Sequence, residues 1–214
     1  MKQLIALTFV FLIFLLFQQT SSADTWHAVK WVVDGDTVVL KDGRKVRYIG
    51  INAPELAHDD RKAEPYAEAS KQFNAALVNR KTIRLEFGKE RHDQYKRLLA
   101  YVFLRGGIFV NAEILSNGYA YLLYHRPNIK YNSTMLQSQR TAMSAQKGIW
   151  GNWQERPKKY VANKRSRRFH LPSCAFGKRI KPRNRVVFQK KWEAFWEGYA
   201  PAKRCMPAFE IPGN

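Results

Sequence analysis

The feature that most constrains the fold is a set of short β segments joined by turn dipeptides near the start of the chain. Residues 26–40 (WHAVKWVVDGDTVVL) alternate around a DGDT turn, and Asp42-Gly43 leads directly into residues 45–51 (KVRYIGI). Asp-Gly between two such segments is a strong signal for a β-hairpin. Three β segments are therefore predicted in close succession.

Further along the chain, the apolar spacing becomes that of helices. Residues 65–79 carry apolar side chains three or four positions apart, and shorter and longer helical patterns cover 111–117 and 134–147. Residues 81–87 and 98–104 are predicted as strands. About five strands and three helices, with the helices lying between hairpins, predict an α+β fold. A five-stranded Greek-key barrel of the OB type is the favoured architecture.

The first residues have the layout of a secretory signal peptide. Lys2 gives a positive start, residues 4–17 form an apolar run, and residues 21–23 (SSA) are small. A run of this length is short for the roughly 20 residues of a membrane-spanning helix. Cleavage after Ala23 is therefore expected, giving a secreted or periplasmic protein with no stable membrane insertion. A retained membrane anchor is the alternative.

The charge of the chain points to a polyanionic partner. The formal net charge is +20, far more than solubility requires, and both nucleic acid and an anionic membrane surface would satisfy it. Residues 154–168 (QERPKKYVANKRSRR) lack an apolar period and are predicted as a basic linker. The predicted organisation is thus a signal peptide (1–23), a main domain (24–153), this linker and a small basic α/β module (169–214).

Polar residues at the ends of predicted strands are candidates for a functional site. DGDT is in the first place a hairpin turn, but Arg47 lies in the following strand, and Asn52 and Glu55 come just past its end. A cationic segment, 91–97 (RHDQYKR), precedes the strand at 98. Oxygen ligands of this kind suit Ca²⁺ or Mg²⁺, and paired arginines suit a phosphodiester. Taken singly, Arg47 and Glu55 are better explained as an ordinary surface ion pair; it is their occurrence together with the other candidates that favours a functional site.

Several motifs in order resemble one known family. DGDT, R-x-x-x-I-N-A-P-E, D-Q-Y-K-R-L-L-A-Y-V, N-G-Y-A and G-I-W follow one another between about residues 26 and 153, and their order and spacing resemble the thermonuclease (staphylococcal nuclease) family. The resemblance implies an OB-fold nuclease. Such an enzyme uses one Ca²⁺ ion to hydrolyse DNA and RNA with little sequence preference, and it leaves 3′-phosphate ends.

The resemblance also implies a metal site with one departure from the family pattern. Asp36 matches the metal-binding aspartate, Asn52 stands where a second aspartate is usual, and Ala53 would lend its backbone carbonyl. An asparagine still offers an oxygen but removes one negative charge from a site for a dication. Weaker Ca²⁺ binding is therefore expected, and Mg²⁺ is an alternative ion.

The same resemblance implies catalytic and nucleotide-binding residues. Arg47 and Arg97 match the arginines that contact the scissile phosphate, and Glu55 matches the carboxylate that orients or deprotonates the attacking water. Tyr95 and Tyr124 fall where the family places aromatic residues near the nucleotide.

The C-terminal segment is similar to a second module, the small zinc-binding domain of methylphosphotriester DNA repair proteins. The similarity rests on FHLPSC and GYAPAKRC, but Ala202 occupies the position of the first cysteine in the final pair. His170, Cys174 and Cys205 supply at most three of the four ligands of a structural zinc site. In an exported protein a disulfide between Cys174 and Cys205 is the favoured reading and zinc is not expected. An incomplete zinc site remains the alternative.

These observations predict an exported, monomeric, metal-dependent endonuclease with DNA and RNA as substrates. A catalytically impaired OB-fold protein that only binds nucleic acid is the first alternative, because OB folds often serve that purpose and Asn52 weakens the metal site. A cationic protein that binds anionic lipid or polysaccharide is the second.

Overall fold

Five strands close into a barrel, as the hairpin signals predict. The structure is a computed structural model that describes residues 25–58, 61–151, 153–155 and 158–206, so the predicted signal peptide lies outside the described residues. The first seven strands are β1 (Trp26–Asp34), β2 (Thr37–Leu40), β3 (Lys45–Tyr48), β4 (Ile51–Asn52), β5 (Thr82–His92), β6 (Leu98–Phe103) and β7 (Tyr121–Leu122). The barrel order is β1-β2-β3-β6-β5, with β3 and β6 parallel and the other recorded pairs antiparallel. The predicted α+β barrel is confirmed.

Three main helices pack on the barrel. They are α1 (Ala67–Val78), α2 (Val110–Ser116) and α3 (Asn132–Ser144), each within a few residues of its predicted range. Helix α1 begins after Tyr66, whose positive φ of 66° is incompatible with the helix. Among the described residues, no helix combines the length and the hydropathy needed to cross a bilayer.

A separate two-stranded pair lies beside the barrel. β4 and β7 are antiparallel, and Asn52 pairs with Tyr121. Both strands are buried. This pairing holds the residues just past β3 against a segment that follows α2 in the chain.

The chain beyond the barrel forms a small α/β module, as predicted. Its elements are β8 (Tyr160–Asn163), β9 (Arg168–His170), α4 (Ala175–Lys178), β10 (Arg185–Phe188), α5 (Lys191–Trp196) and β11 (Ala200–Pro201). The strands form one sheet in the order β10-β8-β9-β11. We call the described residues 158–206 the C-terminal module.

The prediction of a linker over 154–168 is wrong for its central part. Tyr160, Val161 and Ala162 are buried in β8, which pairs with both β10 and β9. Their apolar run is too short to show a period, and the cations on either side dominate the sequence pattern. The pairing partners that make it a strand are supplied later in the chain.

A second apolar core joins the C-terminal module to the barrel domain. Trp150 is fully buried, and its ring lies 5.1 Å from that of Phe195 on α5. Tyr121 on β7 also packs against Phe195, with ring centroids 5.4 Å apart. The amide of Gln139 on α3 accepts from the Leu122 backbone N–H and donates to the Phe195 carbonyl. The module is therefore packed into the protein as a continuous part of its interior.

Candidate active site

The DGDT turn carries Asp36 into the protein interior. Asp34 pairs with Thr37 in the β1–β2 ladder, so Gly35 and Asp36 form the two central turn residues. The Asp34 carboxylate accepts the Asp36 backbone N–H at 2.9 Å and so closes the turn. A Cβ on Gly35 would lie 2.5 Å from the Cβ of Ala53. Glycine therefore allows the turn to lie directly against the segment that carries Ala53.

Asp36 is a buried carboxylate with several partners. Its Oδ2 accepts the Ala53 backbone N–H at 2.8 Å and pairs with Arg47 Nη2 at 2.9 Å, and its Oδ1 accepts the Thr37 hydroxyl at 3.0 Å. Burial raises the pKa of Asp36 to about 7; Arg47 and the Ala53 N–H oppose this rise, and the neighbouring carboxylates add to it. The ionised carboxylate is thus incompletely compensated, and an added cation would stabilise it.

Arg47 on β3 is fixed from both sides of its guanidinium. Nη1 donates to the carbonyls of Tyr48 and Ile51 at 2.8 and 2.9 Å, and Nη2 donates to Asn52 Oδ1 at 3.1 Å. The side chain is 12% exposed. Four contacts hold this cation at the end of β3, next to the Asp36 carboxylate.

Asn52 joins the same cluster through both ends of its amide. Asn52 Oδ1 and Asp36 Oδ2 meet at one nitrogen of Arg47, and Asn52 Nδ2 donates to the Ala53 carbonyl at 3.0 Å and to the Tyr121 hydroxyl at 3.2 Å. Sequence analysis did not identify Tyr121 as a positioning residue. No local pattern signals it, because the contact depends on the β4–β7 pairing.

Three predicted metal ligands therefore lie together. Asp36, Asn52 and Ala53 offer a carboxylate, an amide and a backbone carbonyl oxygen, the hard donors that Ca²⁺ and Mg²⁺ prefer. Burial raises the pKa of Asp36 despite the neighbouring Arg47, so a bound cation would favour its ionised form. This donor set fits an oxygen-preferring dication, with one carboxylate where the family pattern has two.

Glu55 lies three residues past β4, and its side chain is 60% exposed. Its Oε1 accepts from Lys203 Nζ at 2.9 Å. Burial alone would raise the pKa of Glu55, but the hydrogen bond and charge of Lys203, together with Arg47 and Arg97, lower it. The carboxylate is therefore ionised and able to accept a proton. The sequence did not predict Lys203 as a site residue, because 148 positions separate it from Glu55 in the chain.

Arg97 stands at the start of β6, the parallel neighbour of β3. Its Nε donates to Asp93 Oδ2 at 2.7 Å, and its guanidinium lies 5.5 Å from the ring centroid of Tyr95, a side chain that is 70% exposed. The Tyr124 hydroxyl accepts from Arg126 at 2.8 Å.

The structure thus joins Asp36, Arg47, Asn52 and Ala53 by direct contacts, and it couples Glu55 to them by charge. The side chains of Tyr95 and Tyr124 contact Arg97 and Arg126, which lie outside the cluster of Asp36, Arg47, Asn52 and Ala53.

The C-terminal module holds a second cluster of potential ligands. Cys174 and Cys205 are joined as a disulfide, and His170 Nδ1 lies 3.6 and 3.5 Å from the two sulfurs. Across the described ranges, this is the one group of three or more His, Cys, Asp or Glu side chains with mutually close donor atoms. Ala202 supplies no fourth ligand.

Comparison with known proteins decides the family. Residues 45–152 match the family described as staphylococcal nuclease homologue. The thermonuclease of Staphylococcus hyicus is 36% identical over 135 residues, which cover 62% of this chain and 79% of the relative. The chain belongs to the staphylococcal nuclease family. The thermonuclease of Staphylococcus intermedius is also 36% identical, over 127 residues (58% of this chain, 75% of the relative). Endonuclease YncB of Bacillus subtilis is 37% identical over 123 residues (55% and 58%).

Membership of the staphylococcal nuclease family makes the protein a nuclease, a hydrolase whose substrates are nucleic acids. The family match contains Arg47, Asn52, Glu55 and Arg97 and ends before the C-terminal module. The contact between Lys203 and Glu55 therefore joins the nuclease domain to a segment outside the family match. The similarity of the module to a zinc-binding domain remains a prediction.

Proposed function

We propose that the protein is an exported, metal-dependent endonuclease that hydrolyses DNA and RNA with little sequence preference. The observation that carries this proposal is the cluster in which Asp36 and Asn52 meet at the Arg47 guanidinium, with Glu55 on the adjoining loop. A carboxylate, hard oxygen donors and a fixed cation are the groups needed for phosphodiester hydrolysis.

Arg47 and Arg97 bind the scissile phosphate. A phosphodiester is anionic and repels a nucleophile such as hydroxide, and a fixed guanidinium reduces that repulsion. Its charge-assisted hydrogen bonds strengthen as negative charge builds on the phosphoryl oxygens. Arg97 stabilises the charge on the leaving oxygen.

Glu55 orients the attacking water and accepts its proton. Its pKa is lowered, so the carboxylate is ionised at neutral pH, as a general base must be. Its exposed side chain leaves room for both water and substrate.

Asp36, Asn52 and the Ala53 carbonyl would hold the metal ion, Ca²⁺ by preference and Mg²⁺ as the alternative. When bound, such an ion supplies positive charge that offsets the charge of the phosphate and stabilises the transition state. Asp36 compensates the ion, and Tyr121 keeps the Asn52 amide in place.

The deciding experiment compares the mature protein with Glu55→Ala on single-stranded DNA and RNA. Cleavage is measured with Ca²⁺, with Mg²⁺ and with a chelator. We expect metal-dependent cleavage that falls roughly 10²- to 10⁴-fold in Glu55→Ala, the usual contribution of a general base. If the wild type cleaves no faster than Glu55→Ala with either ion, nucleic-acid binding without catalysis becomes the better description.

Product ends, export and assembly are proposed on separate grounds. Family resemblance supports 3′-phosphate ends, which end-labelling before and after phosphatase treatment would detect.

The apolar run at 4–17 and the small residues at 21–23 support export to the periplasm or medium. N-terminal sequencing of the exported protein should begin at Asp24. We expect a monomer by light scattering.

The disulfide in the C-terminal module is proposed for the exported protein in place of a zinc ion. Closing a loop with a sequence separation of 31 residues contributes about 3 to 4 kcal/mol in the chain-entropy treatment. A thiol titration of the unreduced, denatured protein should find no reactive thiol. Two reactive thiols accompanied by one equivalent of zinc would establish the metal site instead.

A further inference from the structure

A cleft of about 530 Å³ is lined mainly by the C-terminal module and on one side by residues of the candidate metal cluster and its surroundings. Asn52 and Tyr121 line it on the barrel side. The opposite wall includes Arg168, Lys203 and Arg204. The cleft is therefore continuous with the candidate active site, although much of its lining lies outside the region that matches the nuclease family.

The charged side chains that line this cleft are all cationic. Its described lining contains three Lys or Arg side chains and no Asp or Glu. The Arg168 guanidinium is half-buried and donates to the Tyr124 carbonyl at 3.1 Å and to the Ser166 carbonyl at 3.2 Å. Within the described part of the chain, no carboxylate lies at ion-pair distance from Arg168 or Arg204. A half-buried guanidinium that has only neutral partners favours an anionic ligand.

The cleft also presents an exposed aromatic ring. Phe176 on α4 lines it and is 48% exposed, and the Arg204 guanidinium lies 6.0 Å from its ring centroid. An aromatic face beside cations is the combination with which proteins bind single-stranded nucleic acid, since bases stack on the ring and phosphates pair with the cations.

Lys203 shows that the cleft opens onto the catalytic side. It lines the cleft, and its Nζ reaches Glu55 Oε1 at 2.9 Å and Glu64 Oε1 at 3.8 Å. A strand whose scissile phosphate lies at Arg47, next to Glu55, would thus have its next nucleotide at the mouth of the cleft.

We propose that this cleft is a nucleotide subsite for the substrate strand beside the scissile phosphate, with Arg168 and Arg204 contacting a phosphate and Phe176 stacking on a base. The inference rests on the proposed function, which it deepens: the C-terminal module becomes part of the substrate-binding site. A single strand suits the cleft because its bases are free to stack.

Oligothymidylate binding in chelator tests the subsite without requiring cleavage. Fluorescence anisotropy would give Kd for a dinucleotide, a tetranucleotide and a hexanucleotide with the wild type, Arg204→Gln and Phe176→Ala. We expect the affinity of the wild type to increase with the length of the oligonucleotide. In each variant this increase should be roughly tenfold smaller, which is the contribution of one stacked base or one charged contact. Both side chains are exposed, and thermal unfolding would verify that the variants are folded.

Arg183→Gln is the matched control. Arg183 is an exposed cation of the same module that does not line the cleft, so its replacement removes the same charge. We expect its length dependence to remain that of the wild type. Equal weakening by Arg183→Gln and Arg204→Gln would overturn the subsite in favour of a general attraction by net charge.

The cleavage assay separates failure of the subsite from failure of the proposed function. If both cleft variants lose the length dependence and the wild type cleaves no substrate with any metal, the subsite is supported and the catalytic proposal is rejected. Normal cleavage together with an unchanged length dependence in Arg204→Gln and Phe176→Ala would overturn the subsite alone.

Discussion

At the scale of single residues, the candidate metal site depends on how Asn52 is held. Its amide oxygen accepts from Arg47, and its amide nitrogen donates to both Ala53 and Tyr121. A carboxylate at this position would bring a second negative charge but could not donate to the last two. Asparagine therefore satisfies the local hydrogen bonds, but it leaves the site with one negative charge fewer for binding a dication.

Asn52→Asp is expected to bind Ca²⁺ at least about tenfold more tightly than the wild type, because a second carboxylate would face the ion beside Asp36. The metal-free variant should be less stable by about 1 kcal/mol, since two donors are lost and two carboxylates repel. Calorimetric titration with Ca²⁺ and urea unfolding measure the two effects. Asn52→Ala is the control and should bind Ca²⁺ more weakly. Equal Ca²⁺ affinity in Asn52→Asp and wild type would contradict the assignment of Asn52 as a ligand.

Gly35→Ala tests the contact between the DGDT turn and the metal-site segment. A methyl group here would overlap the side chains of Ala53 and Ser70, and overpacking of this kind costs about 1 to 3 kcal/mol. Both stability and Ca²⁺ affinity should therefore fall. Gly43→Ala offers a contrast, because a Cβ at Gly43 meets open space and its positive φ of 87° is the only penalty. Reduced stability with unchanged Ca²⁺ affinity in Gly35→Ala would separate the turn from the site.

At the scale of elements, the turn between β5 and β6 fixes the position of Arg97. The Asp93 carboxylate accepts the backbone N–H groups of Tyr95 and Arg97 at 2.9 and 3.0 Å, as well as the Arg97 side chain. Because β6 runs parallel to β3, with Leu98 opposite Val46 and Leu99 opposite Arg47, this turn places Arg97 beside the start of β3, two positions along the ladder from Arg47. The predicted pair of arginines thus depends on one aspartate.

Asp93→Asn is expected to reduce the dependence of stability on acid pH. Burial alone would raise the pKa of Asp93, but hydrogen bonds from Arg97 and Tyr95 lower it. A lowered pKa in the folded state means that the ionised form adds stability above the unfolded value of about 3.9, and that this stability is lost as the pH falls through the lower folded value. The wild type should exceed the variant by about 1 kcal/mol at neutral pH, and this difference should disappear in acid.

Urea unfolding of Asp93→Asn across this pH range would measure the effect. Asp42→Asn is the comparison, because Asp42 is paired with Arg44 in a similar turn but is exposed, so solvent screens its charge. A stability difference between wild type and Asp93→Asn that stays constant into acid would show that the Asp93 charge does not stabilise the turn.

At the scale of the whole molecule, the barrel domain and the C-terminal module share one interior. Trp150 and Tyr121 pack against Phe195, and buried Gln139 links the backbone of β7 to that of α5. Reading 154–168 as a linker would imply two separable units. The observed packing favours a single cooperative transition on unfolding.

Gln139→Met is expected to destabilise the entire protein by roughly 1 to 3 kcal/mol, because methionine keeps the volume but leaves the buried Leu122 N–H without its acceptor and removes the hydrogen bond that the amide donates to the Phe195 carbonyl. Scanning calorimetry should show one transition, shifted to lower temperature. Gln137→Met on the exposed face of the same helix is the control and should change little. Two resolved transitions, of which only one responds to Gln139→Met, would mean that the C-terminal module unfolds independently.

The sequence by itself determined the parts of this protein that depend on local chemistry. Turn dipeptides and apolar periods predicted the barrel strands and the three main helices, because hairpin geometry and helix amphipathicity are properties of short segments. The order of motifs also identified Asp36, Arg47, Glu55 and Arg97 as candidates. Asp36, Arg47 and Arg97 each lie at a turn or strand end that the same local patterns predict.

Only the tertiary structure decided which distant residues complete the site. Tyr121 reaches Asn52 through strand pairing, and Lys203 reaches Glu55 across 148 positions. The strand Tyr160–Asn163 likewise exists because β9 and β10 pair with it. Contacts of this kind depend on the packing of whole elements, and no period or turn signal in a short segment encodes them.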